Sequence, residues 1–268
     1  GEPLMHPEIE KILATVREYD LYFRLQTNGS QFQPRKIDWL SRMRGEISVS
    51  LDATGSIFEA ARHGGRWKQV EEGVRALARV RDPERLGLAL YPTLTAKTVE
   101  GAPELIAWAS DAGVDRIDFH LYDPIHGGAE KVPDAGQLDA IRRAAAALDP
   151  ADPMQVFLEY QCVASGQPPA RATPHQMRFA NIPRRLDQGG HADHTCMAPV
   201  QYVDIDLDGC VCVCCQLQER KIGNALTVEA FADCWFGAEY KAVRASLRRD
   251  AAEPLYETCR SCVRRYTA

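Results

Sequence analysis

The stretch Cys196-Met-Ala-Pro-Val-Gln-Tyr-Val-Asp-Ile-Asp-Leu-Asp-Gly-Cys-Val-Cys-Val-Cys-Cys215, answered further on by Cys259-Arg-Ser-Cys262, decides how the rest of the chain is read. All but one of the nine cysteines fall between these limits, a density that metal ligation explains and core packing does not. Four sulfurs suffice for a tetrahedral zinc or for one iron–sulfur cluster. Cys259 and Cys262 make a two-pronged clip, because two intervening residues let a tight turn aim both thiolates at one centre. Asp208-Gly209 is a hairpin signal, and pairing of its two strands brings Cys196 towards the run that ends at Cys215. Thr227 caps a helix with Val228, Phe231 and Trp235 on one face, continuing through Val243 and Leu247. Cys234 inside this helix and Cys162 on a strand read as packed thiols.

Composition bounds the classes of function. The chain has 268 residues, 45% of them apolar, which supports a sizeable core. Its net charge of −5 and lack of long single-sign runs leave no nucleic-acid footprint. No stretch approaches the ~20 apolar residues that a membrane span requires, and the first residues are neither a signal nor a transit peptide. The expectation is a soluble cytoplasmic protein with no nucleic-acid or membrane partner, where clustered cysteines hold metal more often than they form disulfides.

Upstream, helical and strand-like patterns alternate, which predicts parallel strands with crossover helices. Ile9, Ile12, Leu13 and Val16 mark a first helix after Pro7. Strands are expected over residues 21–28, 46–52, 86–94, 116–122 and 156–161. Intervening helices carry Trp67, Val70, Val74 and Leu77, then residues 103–112 and 138–148. In the second strand Ile47, Val49 and Leu51 take one face and Ser48, Ser50 and Asp52 the other. With the apolar faces turned to the helices, the opposite side gathers Arg24, Gln26, Asn28, Ser50, Asp52, His120, Tyr122, Glu159 and Gln161. Polar residues near C-terminal strand ends are where a β/α barrel keeps its site, and His120, with Asp118 and Tyr122, is a candidate substrate contact. Residues 164–195, rich in Pro, Gly, Arg and His, read as a linker, with His191 and His194 as loop histidines rather than zinc ligands. Arg244, Arg248 and Arg249 read as a solvated helix end.

Several motifs in order resemble the radical S-adenosylmethionine (radical SAM) enzymes that carry a C-terminal SPASM- or twitch-type extension. In the tail these are Cys196, Gly209 with Cys214 five positions on, Ile222-Gly223-Asn224, the Cys234-Trp235 helix end and the terminal C-x-x-C. Upstream, Gly1-Glu2-Pro3 is similar to the end of the family's Gly-Gly-Glu-Pro motif. Thr27-Asn28-Gly29, Ser50-Leu51-Asp52 and Arg62-His-Gly-Gly-Arg-Trp67 are similar to segments that follow it.

The resemblance implies a partial (β/α)6 TIM-like barrel lacking its first strands over residues 1–163, the linker, and a cysteine-rich α+β domain over 196–268. It implies S-adenosylmethionine as cofactor, with Gly1, Glu2 and Pro3 at its amino end, Asn28, Ser50 and Asp52 near its ribose and methionine portions, and Arg62 at its carboxylate. It selects Cys196, Cys214, Cys259 and Cys262 as ligands of an auxiliary [4Fe–4S] cluster, with zinc as rival, and leaves Cys210, Cys212 and Cys215 as spare thiols. The implied activity is hydrogen abstraction from a peptide, protein or small molecule, with flavodoxin or ferredoxin as electron donor. The family's three-cysteine loop for the primary [4Fe–4S] cluster has no counterpart in these residues. An N-terminally truncated and by itself inactive sequence is therefore expected. The alternative is a non-catalytic four-cysteine metal-binding module that binds a peptide or protein partner.

Overall fold

A computed structural model describes residues 1–122, 131–158, 161–165, 196, 198–201, 203–206, 208–214, 217 and 220–261. Two compact units divide the chain, Gly1–Met177 and Arg178–Ala268. Among the described residues no helix is long and apolar enough to cross a membrane.

The first unit opens with a 3-10 turn, Pro3–Met5, and then alternates helices and strands. In order these are α1 (Ile9–Glu18), β1 (Phe23–Thr27), α2 (Pro34–Ser41), β2 (Gly45–Val49), α3 (Gly55–Ala61), α4 (Trp67–Val80), β3 (Leu86–Leu90), β4 (Thr93–Leu94), α5 (Ala102–Asp111), β5 (Arg116–Leu121), α6 (Ala135–Ala146), β6 (Gln155–Leu158) and β7 (Gln161–Ser165). The sheet runs β1-β2-β3-β5-β6-β7, with β4 on β5. All pairs are parallel except β6 with β7. This is the parallel α/β architecture of a partial barrel. One face buries Leu25, Ile47, Val49, Leu88, Leu90, Ile117, Phe119, Val156 and Leu158 against Leu13, Ile37, Leu40, Val74, Leu77, Leu105 and Ile141 of the helices.

Two expected strands and two short helices differ from the sequence expectation for local reasons. The strand expected over 86–94 breaks at Tyr91-Pro92, since proline has no N–H for the ladder, and its second piece pairs only with β5. The strand expected over 156–161 is two antiparallel strands, so residues 161–165 belong to the sheet and not, at 164, to a linker. Helices α2 and α3, which follow the turns after β1 and β2, are too short for periodicity to signal them. Helix α6 begins with a reciprocal capping box between Asp134 and Gln137.

The second unit holds α7 (Ala198–Gln201), an antiparallel sheet of β8 (Asp204–Ile205), β9 (Cys210–Cys212) and β10 (Lys221–Asn224), then α8 (Val228–Trp235), α9 (Ala238–Ser246) and α10 (Glu257–Ser261). The hairpin about Asp208-Gly209 is present, but Cys214 lies beyond the end of β9 rather than on it. The single helix expected from Val228 to Leu247 is two, separated at Phe236-Gly237. Val213, Leu217, Val243 and Leu247 form a small core.

Candidate functional site

At the C-terminal ends of β1 and β2 lies a cavity of about 360 Å³ lined by Gly1, Gln26, Thr27, Asn28, Ser50 and Arg62. Glu2 organises its floor. One carboxylate oxygen accepts hydrogen bonds from Thr27 Oγ1 (2.7 Å) and Leu4 N (3.1 Å), the other from Asn28 N (2.8 Å). Glu2 thereby caps the 3-10 turn begun by Pro3 and fixes the end of β1. Gly29 follows with φ 75°, and a Cβ there would press on Val70 and Val49, which explains glycine after Asn28.

Ser50, just past β2, accepts from Gln26 Nε2 at 3.0 Å. Arg62, which caps the C-terminus of α3, is tied to Asp52 by Nε (3.0 Å) and Nη2 (2.8 Å). The other Asp52 oxygen accepts from Thr93 N at 2.9 Å. Of the residues expected at the cofactor, then, Gly1, Asn28, Ser50 and Arg62 meet at the cavity. Glu2 and Asp52 have both oxygens engaged and act on it through the backbone of β1 and through Arg62. Pro3 is not among the lining residues. A partly desolvated guanidinium beside hydroxyl and amide donors suits a small ligand that bears a carboxylate and hydroxyl groups.

The polar face of the sheet holds a second constellation that strand parity identifies only in part. Arg24 donates to Glu46 (2.9 Å) and to the Tyr91 hydroxyl (3.2 Å). Arg116 bonds Glu46 (3.0 Å), Asp118 (2.8 Å) and the Tyr91 hydroxyl (2.6 Å). His120 stacks on Tyr91 with ring centroids 5.6 Å apart. Burial pulls the Arg116 pKa down, and the carboxylates of Glu46 and Asp118 more than reverse it, so the net shift is upward. Burial raises the Tyr91 pKa, with the Arg116 charge opposing. Arg24, Asp118 and His120 are legible from strand parity. Glu46, Tyr91 and Arg116 sit at strand boundaries, yet their positions share the same inward parity. Tyr122 is half-buried; Glu159 lies outside the described residues, as do the side chains of Gln161 and Cys162.

In the second unit Cys196, Cys214 and Cys259 are half-buried against the one small core, together with Ile222 and Tyr256. Cys262, Cys215, His191 and His194 lie outside the described residues. Among those described, no three His, Cys, Asp or Glu side chains meet in metal-ligating geometry. The donor set still fits a thiolate centre, because three of the four expected sulfurs share one hydrophobic surround. Cys234 is packed as expected, its thiol 3.7 Å from Asn224 O. Arg244 departs from expectation. It is half-buried over the Trp235 ring (4.3 Å), and burial lowers its pKa.

Residues 196–263 match the family model of the SPASM iron–sulfur cluster-binding domain. The chain aligns with the crystal structure of Streptococcus suis SuiB bound to S-adenosylmethionine at TM-score 0.62 and 15% identity, covering 92% of this chain and 55% of SuiB. The chain thus joins a segment that matches the SPASM domain to a fold shared with SuiB. SuiB bound to its precursor peptide SuiA aligns with TM-score 0.63 at 16% identity, over 91% of this chain and 54% of SuiB. Native anSMEcpe with bound AdoMet and Cp18Cys peptide aligns with TM-score 0.57 at 16% identity, over 98% of this chain and 71% of that one. The chain spans about half the length of SuiB. No curated protein matches it in sequence.

Proposed function

We propose that this chain is the S-adenosylmethionine-binding and auxiliary-cluster portion of a radical SAM/SPASM enzyme that modifies a peptide. The observation that carries the reading is the cavity where Gly1, Asn28, Ser50 and Arg62 converge from four separate segments. Support for a peptide substrate comes from the two structural relatives with bound peptides. In this reading residues 1–165 are the barrel portion, 166–195 the linker and 196–268 the auxiliary domain.

Arg62 takes the cofactor's carboxylate, and Asp52 holds the guanidinium in place for it. Asn28 and Ser50 offer hydrogen bonds to hydroxyl groups of the ribose. Gly1 presents backbone to the ammonium group, with Glu2 and Pro3 fixing that backbone against β1. Cleaved beside a reduced [4Fe–4S] cluster, S-adenosylmethionine supplies a 5′-deoxyadenosyl radical able to take a hydrogen atom from substrate. Residues 1–161 contain no cysteine, so this part of the barrel binds the cofactor and does not itself ligate the cluster that cleaves it. Cys196, Cys214, Cys259 and Cys262 hold the auxiliary centre as thiolates.

Equilibrium dialysis with S-adenosylmethionine tests the cavity. A charge-assisted hydrogen bond contributes about 1.5–3 kcal/mol, so Arg62→Met weakens binding on the order of tenfold to a hundredfold. Asp52→Asn weakens it less, because Arg62 remains. Wild-type affinity in Arg62→Met would remove the assignment. Iron, acid-labile sulfide and zinc analysis after anaerobic reconstitution decides the auxiliary metal, and a chain that takes up only zinc would exclude the cluster.

A further inference from the structure

We propose that Arg244 is a positioning residue for the metal centre of the SPASM domain, setting Cys196 and Cys214 through the segments that carry them. The inference rests on the reading of these cysteines as ligands. Arg244, from α9, stands over two rings, with its guanidinium carbon 4.3 Å from the Trp235 centroid and 4.5 Å from that of Tyr240. Its Nε donates to Pro199 O at 2.8 Å, three residues beyond Cys196. Its Nη1 donates to Trp235 O at 2.7 Å, at the end of α8. Tyr240 is fully buried, and its hydroxyl lies 3.5 Å from Val213 O, in the residue before Cys214. One cation and two rings thus tie the chain leaving Cys196 to the chain entering Cys214.

The residue type suits the task. A guanidinium is a rigid planar fork that bonds two carbonyls while stacking on aromatic faces, which a lysine ammonium cannot do. Among the described residues its partners are carbonyl dipoles and ring faces rather than carboxylates, and Nη2 is buried without a hydrogen-bond partner. Half-burial of the cation is costly unless its donors are engaged, and the two carbonyls engage two of them. Cys196 lies three residues before the carbonyl that Nε anchors, and Cys214 one residue after the carbonyl that the Tyr240 hydroxyl reaches. Arg248, on the same helix end, contrasts with it, since it pairs with Asp250 at the surface.

The test uses the full chain with Arg244→Lys, Arg244→Met and, as control, Arg248→Ala. In the metal-free reduced protein, alkylation of each cysteine by iodoacetamide is followed by peptide mass spectrometry. Loss of one anchoring hydrogen bond corresponds to ~5-fold, so both Arg244 variants raise the alkylation rates of Cys196 and Cys214 by that factor or more. Cys234 in every variant, and all sites in Arg248→Ala, keep wild-type rates. Equal rates at Cys196 and Cys214 in wild type and Arg244→Lys would overturn the proposal, as would a uniform rise that includes Cys234. Titration with cobalt(II) supplies a separate readout, because thiolate-to-metal charge-transfer intensity follows the number of sulfur ligands. Wild type lacking this band would sink the metal-centre reading itself, while the alkylation rates still decide the role of Arg244.

Discussion

Glu46 is 5% exposed and is shared between Arg24 and Arg116, the latter 7% exposed. Removing one partner of a buried ion pair leaves an uncompensated charge and costs about 3–5 kcal/mol. Arg24 is 41% exposed, far more than Arg116, so Arg116 carries most of that cost. Glu46→Gln is therefore expected to destabilise the first unit by about 3 kcal/mol, read from the urea midpoint at constant m-value. A change within about 0.5 kcal/mol, the range of ordinary surface substitutions, would show that the network adds nothing. Tyr91 adds a pH dependence. Its folded pKa is raised, chiefly by burial, so the native state keeps the phenol proton after the unfolded chain has lost it. That contribution is whole below pH 10.0 and is lost as pH rises through the folded value. Tyr91→Phe should flatten this part of the alkaline decline, and an unchanged slope would show that Tyr91 does not cause it. These residues also mark how far sequence reasoning reaches. Parity places Arg24, Asp118 and His120 on the inner face, and Glu46 and Arg116 share that parity, but the ion pairs that join them across three strands follow only from the register of the sheet. The Asp52–Arg62 pair is out of reach for another reason. The sequence assigns the two residues to different parts of one ligand, and only the fold of α3 joins them.

At the scale of elements, long amphipathic segments are legible and interruptions are not. Val70, Val74 and Leu77 lie buried along α4 as their spacing demands. The break between α8 and α9 is set by Gly237, where a Cβ would collide with the Asp233 carbonyl, a contact no periodicity announces. The third strand of the small sheet, β10, is equally silent in the sequence, because Lys221-Ile-Gly-Asn224 is short and contains glycine. Its glycine is a packing requirement, since a Cβ at Gly223 would overlap the Cys234 sulfur from α8. Gly223→Ala is expected to destabilise the second unit by about 1–3 kcal/mol, the usual cost of overpacking. Cys234→Ala should cost about 1 kcal/mol by itself and relieve most of the clash in the double variant. A thermal double-mutant cycle measures the coupling. Additive losses would show that the two elements do not meet at this contact.

Across the whole molecule the two units draw on different sources of stability. The first has a large core spanning the parallel sheet and its helices. Among the described residues the second has a small cluster of Val213, Leu217, Val243 and Leu247, with Val211, Cys212 and Tyr240 also buried and Cys196, Cys214 and Cys259 packed on the cluster. So small a core leaves a unit of this size marginal without a staple, and a ligand that binds only the folded form stabilises it by mass action. Metal held by Cys196, Cys214, Cys259 and Cys262 would be that staple, because its binding energy is folding energy. Calorimetry of the reconstituted chain should then show two transitions. Chelation, or Cys214→Ala, should lower one of them by about ten degrees or more, on the order of 2 kcal/mol for a small domain, and leave the other in place. The assignment of each transition can be read independently, since Glu46→Gln should move the one that chelation leaves alone. A chelator-insensitive profile in a chain that had demonstrably bound metal would mean that the centre is an appendage and that the second unit folds on its apolar contacts alone.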